Sequence, residues 1–405
     1  MTTLEIHAMG ARLVPRHDFR LALRLSIVYV AIFVWMGVYL PYWPVWLAHR
    51  GLSPSEVGIL LGVSPWTRVI ASPPAGRWAD RSGQANRLIT GLAVLLAAGQ
   101  WCFAWVEGFG GLLLITVAVG FVIAPIIPLL DGLTIGAEAE GKVSYGPVRL
   151  WGSAAFIGAS WAGGELLERQ GEAIILWLLV GAAAGGAVVS LLLPGGERSA
   201  GPPRNETEGP VISDGSSSWS RPFVGFLVVT ALLHASHAVL YAFGTQHWRT
   251  QGLDESTVGL LWALSVLAEI VLFAIARRMD GWLGPRGLWL LAGGAGVVRW
   301  AVLASTASLP WLVVMQVLHA FTYGALHVGA MAYVRRQVPA QERGRATTLY
   351  SAVGTGVALG TSLPLAGWLY GELAGGAYWV MAACSGTAVL LTVGLLQADS
   401  KPRRP

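Results

Sequence analysis

Residues 51–70, GLSPSEVGILLGVSPWTRVI, recur 201 positions later as GLDESTVGLLWALSVLAEIV (252–271). Gly51, Leu52, Val57, Gly58, Leu60 and Ser64 meet Gly252, Leu253, Val258, Gly259, Leu261 and Ser265 at that constant offset. Each copy is a turn that feeds an apolar run, so the match lies in topology as well as in identity, and it implies a duplicated chain. The same offset sets Arg68 opposite Glu269.

The surrounding composition says what kind of chain is duplicated. Only 12% of the 405 residues are charged, 54% are hydrophobic, and the mean hydropathy is +0.59. A soluble domain carries roughly 25% charged residues. No soluble fold of this length buries so much apolar surface, and disorder or a disulfide scaffold is excluded by the same figures. Cys102 and Cys384 both lie in apolar runs, and no metal-ligand spacing is present, so neither a metal nor a cofactor is expected.

A membrane span takes about 20 apolar residues. Twelve segments qualify, at 22–48, 55–77, 88–106, 111–135, 147–168, 173–193, 222–248, 256–278, 287–305, 311–335, 346–370 and 376–396. They must be helices, because lipid leaves open backbone groups unsatisfied and the alternation of barrel strands is missing. Residues 195–221, rich in Gly, Pro, Ser and Glu, read as a flexible linker. The expected architecture is an all-α integral membrane protein of twelve transmembrane helices in two pseudo-symmetric six-helix bundles, 1–194 and 222–405. Internal repeats around a midplane site are the plan of many secondary transporters.

Orientation is set by the basic residues. Twenty-one of the 27 Lys and Arg fall on the termini side, against Arg50, Arg169 and Arg249 on the other. Positive charge collects in cytoplasmic loops, so both termini are expected in the cytoplasm, in a bacterial-type inner membrane. The basic balance is therefore no sign of nucleic acid. Arg68, Arg149 and Arg299 are left over, inside spans.

GRWADRSGQANR (76–87), after the second span, resembles the loop signature of the major facilitator superfamily. The resemblance makes Gly76, Asp80, Arg81 and Gly83 a cytoplasmic gate motif, with Gly76 allowing close helix approach and Asp80 capping a helix or holding an ion pair. The second-half counterpart, ARRMDGWLGPRG (276–287), is degenerate. GVYLPYWPVWL (37–47), YGPVRLWGS (145–153), LLAGGAGVVRW (290–300) and VLHAF (317–321) are similar to the lactose permease and phenylpropionate permease branch of proton symporters. That resemblance implies substrate contact and pairing for Asp131 and Arg149. It likewise sets Glu269, Arg299 and His319 on the branch's acid, arginine and histidine of the eighth, ninth and tenth spans, with proton coupling expected of Glu269, His319 and Asp131 and substrate binding of Arg299. Two departures stand out: Thr322 replaces the branch's glutamate three residues after the histidine, and His234 and His237 replace its paired aspartates.

An ionisable group at mid-span costs at least ~2.5–3.5 kcal/mol, so it faces a cavity or a partner. Arg68 and Arg299 read as anchors for an anionic or polar solute, or as members of a buried ion pair, for instance with Glu269. Glu269 is the candidate proton carrier, a permanent salt bridge being the alternative. Asp131 and Arg149 can pair across the turn between the fourth and fifth spans, or snorkel to the interface. His234, His237 and Tyr241 share one helical face, and His319, Tyr323 and His327 another, the histidines as proton relays and the tyrosines as substrate contacts, or all as ordinary packed residues. Trp151, Tyr39 and Trp43 can stack on a ring in the solute or simply pack.

No phosphate-binding loop, nucleophile elbow or zinc motif is present, so an enzyme is not expected. The expected function is proton-coupled uptake of a small solute by alternating access, in a monomer. An aromatic or other carboxylic acid is favoured over a sugar or nucleoside. The rivals are a drug/proton antiporter and a non-transporting membrane sensor or scaffold.

Overall fold

The computed structural model describes residues 18–195 and 220–400. Helices α1 to α6 are Phe19–His49, Pro54–Ser82, Ala85–Cys102, a broken pair Gly108–Ile123 and Ile126–Ala139, Tyr145–Gln170, and Ile174–Ser190. Helix α7 is Arg221–Ala235 with Ala238–Thr250, interrupted at Ser236 and His237. The run Glu255–Ser305 supplies both α8 and α9. Its 51 residues would extend about 76 Å as one helix, far beyond a bilayer, and Gly284 (φ 62°, ψ 178°) breaks it. Helix α10 runs through Leu309–Val317, a π-helical turn Ala320–Ala325 and Leu326–Gln337. Helix α11 has the same plan: Arg343–Ser351, a π-helical turn Ala352–Ala358 and Leu359–Leu373. Helix α12 is Ala377–Ser400. Every expected span is helical, and the described residues contain no strand. The linker at 195–221 falls almost wholly outside them.

Among the described residues, seven helical runs are long and apolar enough to cross a membrane. Two of these, Glu255–Ser305 and Ala340–Leu395, each hold two crossings, and Ile174–Ser190 is a shorter apolar helix. Pro54–Ser82 and Tyr145–Gln170 fall short of that measure. The reason is chemical, because they carry Arg68 and Arg149 and are rich in Pro, Gly and small polar residues.

The repeat found in the sequence is also a repeat of helix ends. Ser53 caps α2 through the Glu56 amide and Asp254 caps α8 through the Thr257 amide, again 201 residues apart. Gly83 (φ 65°) and Gly284 (φ 62°) end those helices at the same offset. Both need the left-handed backbone that glycine adopts without strain.

The termini end and the opposite end differ in packing. At the opposite end the halves interlock through glycines. A Cβ on Gly58 would lie 2.5 Å from the Leu363 carbonyl oxygen, and one on Gly164 would collide with that of Glu255. Small residues permit such backbone contact between helices in lipid. Arg249 of α7 then reaches across to Glu172 at 2.7 Å while holding Glu255 at 2.8 Å. The Arg249 hydrogen bond keeps the Glu172 carboxyl below its usual range. Ser256 N also bonds Glu168, at 3.4 Å.

The gate motif lies at the termini end, and there the structure corrects one expectation. Gly76 allows no close approach, since a Cβ there would meet nothing within 4 Å. Asp80 and Arg81 make no hydrogen bond or ion pair among the described residues. The halves are not drawn together around this loop, so no partner is brought within reach. The supposedly degenerate counterpart is the better tied of the two, because Asp280 pairs with both Arg335 and Arg336.

Candidate functional site

Three charged assemblies sit within the bundle. The first lies toward the termini end of the first half. Tyr29 of α1 donates to Asp131 Oδ1 at 2.6 Å, and Tyr145 donates to the same oxygen at 3.2 Å. Arg149 approaches that carboxylate only loosely, its Nε 3.9 Å away. Its guanidinium lies over the Phe33 ring at 4.1 Å and beside Tyr29 at 5.5 Å. Stacking of this kind holds a guanidinium without using up its donors. The expected Asp131–Arg149 pairing is present, but both side chains stay 28% exposed.

Arg68 forms the second assembly alone. It lies midway along α2, is exposed, and makes no hydrogen bond or ion pair among the described residues. Tyr323 of the other half is within its electrostatic reach. The alternative of an Arg68–Glu269 pair is not realised. The repeat places the two residues at equivalent positions of α2 and α8, but Glu269 is engaged within its own half.

That engagement is the third assembly. Arg299, fully buried, gives one Nη1 contact to His319 Nδ1 at 2.8 Å and another to Thr322 Oγ1 at 3.0 Å. Its Nη2 donates to Gln316 at 2.7 Å, and Trp300 lies beneath it at 4.7 Å. His319 Nε2 stands 2.7 Å from Glu269 Oε1. His237 Nδ1 faces the Leu233 carbonyl at 2.9 Å, and its Nε2 faces Thr322 Oγ1 at 3.1 Å.

The donor inventory fixes the protons. Arginine cannot accept, so His319 Nδ1 must be bare and the ring proton sits on Nε2, donated to Glu269. A backbone carbonyl cannot donate, so His237 carries a proton on Nδ1, and the one proton of the Thr322 hydroxyl is offered both to His237 Nε2 and to the His319 carbonyl, 3.2 Å away. Thr322 in turn accepts from Arg299. The network runs from a cation at Arg299 through a neutral His319 to the Glu269 carboxyl, with the Arg299 Nε left without a hydrogen bond. Doubly protonating His319 would turn an N–H against the Arg299 N–H. A further proton on the Glu269 carboxyl sets no two N–H groups against each other, and His319 bridges Glu269 to Arg299.

The remaining candidates divide. Tyr241 and Tyr323 stand near this network, their rings 6.3 and 5.8 Å from His319. Tyr323 also lies within electrostatic reach of Glu269, Arg68 and Arg149. His234 and His327 share the Tyr350 hydroxyl, at 3.1 and 3.4 Å, rather than joining the Arg299 network. Tyr39 is stacked between Trp35 (4.5 Å) and Trp43 (5.8 Å) along α1, away from the charges. Trp151 is 61% exposed and has no ring partner among the described residues. Two residues beyond Arg149, it points about 200° around the helix from it. Sequence reasoning did not find Tyr29, Phe33, Tyr145, Gln316 or Tyr350. The i, i+4 spacing of Tyr29 and Phe33 was the available signal for the first two. A hollow of about 330 Å³ at the termini end of the second half, lined by Phe223, Tyr333, Val338 and Arg345, holds none of the intramembrane charges.

The MFS_1-like family description matches residues 22–385. The chain belongs to that family, within the major facilitator superfamily. It is 33% identical over 373 residues to the probable 3-phenylpropionic acid transporter of Escherichia coli K12, covering 91% of this chain and 96% of that one. It is 26% identical to the maltose permease of Geobacillus stearothermophilus, over 92% and 93% of the two chains. The solved nucleoside transporter NupG superposes with a TM-score of 0.80 at 15% identity, covering 94% of this chain and 100% of that one, which bears on the fold alone. The protein is a membrane transporter of the major facilitator type, and its relatives carry small molecules.

Proposed function

We propose that this protein is a proton-coupled importer of a small organic acid, working by alternating access between two six-helix bundles, 1–194 and 222–405, with both termini in the cytoplasm. The observation that carries the reading is the division of charge. Arg68 is a mid-span cation with no hydrogen-bond or ion-pair partner among the described residues, while both terminal nitrogens of Arg299 are held by a network that ends on Glu269. An unpaired guanidinium facing a cavity is fitted to receive a carboxylate on its planar donor fork. Arg149, backed by Phe33 and Tyr29, is placed to take a second polar group or the face of a ring.

Glu269 supplies the coupling. As a carboxylate it accepts from His319 and balances Arg299. Protonation removes that balance, and the new hydroxyl cannot donate to His319 without turning the imidazole against Arg299. The proton thus loosens the α8–α10 contact, while a solute carboxylate at Arg68 adds a negative charge to the same cavity. The two arrivals offset each other electrostatically, which favours carrying them together. The printed name of the Escherichia coli relative supports an aromatic acid as the solute. That of the maltose permease makes a sugar the second reading, with Asp131 as its acceptor.

The test is uptake of labelled 3-phenylpropionate into proteoliposomes under an imposed proton gradient. Accumulation should collapse with a protonophore and with Glu269→Gln. Accumulation indifferent to both removes proton coupling from the account.

A further inference from the structure

The Arg299 nitrogen on His319 Nδ1 raises a question of exit, since a proton held on Glu269 needs a path to water that does not run through His319. The other histidine pair supplies one. We infer that His327, held by Tyr350, is the group through which the Glu269 proton leaves toward the termini end of the bundle, an inference that rests on the proton-coupled reading above.

His327 lies eight residues beyond His319 on α10, on the far side of the π-helical turn Ala320–Ala325. Phe273, one turn past Glu269 on α8, meets the His327 ring edge-on at 6.4 Å. His327 is thus displaced from Glu269 along the α8–α10 seam toward the termini end, and the two are within electrostatic reach. It is partly exposed, whereas His319 and His237 are buried.

Its proton inventory also differs from that of His319. The Tyr350 hydroxyl has one proton and two histidine neighbours, His234 Nε2 at 3.1 Å and His327 Nδ1 at 3.4 Å. With that proton given to the nearer His234, Tyr350 accepts from His327 Nδ1–H. His327 Nε2 is then a free acceptor. No arginine hydrogen-bonds this imidazole among the described residues, so double protonation sets no N–H against another. Charged and titratable groups facing it are Glu269 on α8, Tyr350 on α11, His234 on α7 and Tyr323 on its own helix. The step balances simply: the Glu269 carboxyl returns to carboxylate, His327 becomes imidazolium, and cavity water takes the proton. A π turn in α10 suits this placement, since such turns cluster at functional positions and shift the register of the helix beyond them.

The experiment needs no solute. Purified protein in lipid nanodiscs receives a rapid upward pH jump, and proton release is followed with a soluble pH dye. Wild-type protein should release a proton that Glu269→Gln lacks. His327→Gln should release it at least tenfold more slowly at an unchanged unfolding temperature, and free imidazole in the buffer should restore the rate. Tyr350→Phe should slow it severalfold. Release from His327→Gln at the wild-type rate, or slow release that imidazole does not rescue, overturns the relay. A wild-type trace identical to that of Glu269→Gln instead removes the proton-coupled reading itself.

Discussion

The two halves descend from one repeat yet use their charges in opposite ways. In the first half Arg68 is exposed and has no hydrogen-bond or ion-pair partner among the described residues, and Arg149 sits 3.9 Å from a carboxylate that two tyrosines already occupy. In the second, Arg299 is fully buried and spends its donors on His319, Thr322 and Gln316. A cation left with free donors can bind something that comes and goes. A cation whose terminal nitrogens are committed can only respond when its neighbours change charge. The proposed division of labour rests on that difference: solute in the first half, proton in the second.

The widest separation between the halves should appear in stability. Arg299→Ala leaves Gln316 and Thr322 without their donor and Glu269 without its counter-charge, so it should cost about 3–5 kcal/mol, seen as a large fall in unfolding temperature. Arg68→Ala breaks no hydrogen bond or ion pair among the described residues and should stay within about 0.5 kcal/mol of wild type. Equal losses would erase the distinction.

Ligand binding should reverse the order. Arg68→Ala should weaken 3-phenylpropionate by roughly 10- to 100-fold in a thermal-shift titration, the range for losing a charged hydrogen bond. Asp131→Asn should change it by only a few fold, because Tyr29 and Tyr145 still have an oxygen to donate to. An unchanged affinity in Arg68→Ala would place the anion site elsewhere.

A subtler comparison sets the interlocked end against the termini end. Gly164→Val puts a side chain into the Glu255 backbone and should wedge the interlocked end apart, exposing a cysteine at Ser256 to a thiol reagent. Gly76→Val meets nothing and should leave that labelling unchanged.

The smallest effect concerns acid. Glu172 has a lowered pKa while it holds Arg249, so its contribution to closure is present above the free-carboxyl pKa of about 4.3 and is lost as pH falls through the lowered value. The pair is part-exposed and is worth roughly 0.2–1 kcal/mol. Ser256 cysteine labelling should therefore rise modestly below about pH 4, and Glu172→Gln should abolish the rise.

Much of this was legible in the sequence. The span count, the 201-residue offset and the three stranded arginines come from hydropathy and charge, quantities that each residue carries by itself. The hidden part depends on which helix faces meet. Tyr29 and Phe33 cradle Arg149 because α1 packs on α5, and Tyr350 reaches two histidines because α11 passes α7 and α10. Glu269 chose His319 over Arg68 for the same reason, although the repeat set it opposite the arginine. The π turns left no signal in the periodicity. Trp151, grouped by residue type with the ring-stacking candidates, points away from Arg149 by helical angle alone.

The most direct measurement pairs solute binding with proton release on the same purified variants. The account predicts that Arg68→Ala loses 3-phenylpropionate binding and keeps the pH-jump proton, while Glu269→Gln keeps the binding and loses the proton. The opposite assignment, or both functions failing together in each variant, would contradict the division of labour between the halves.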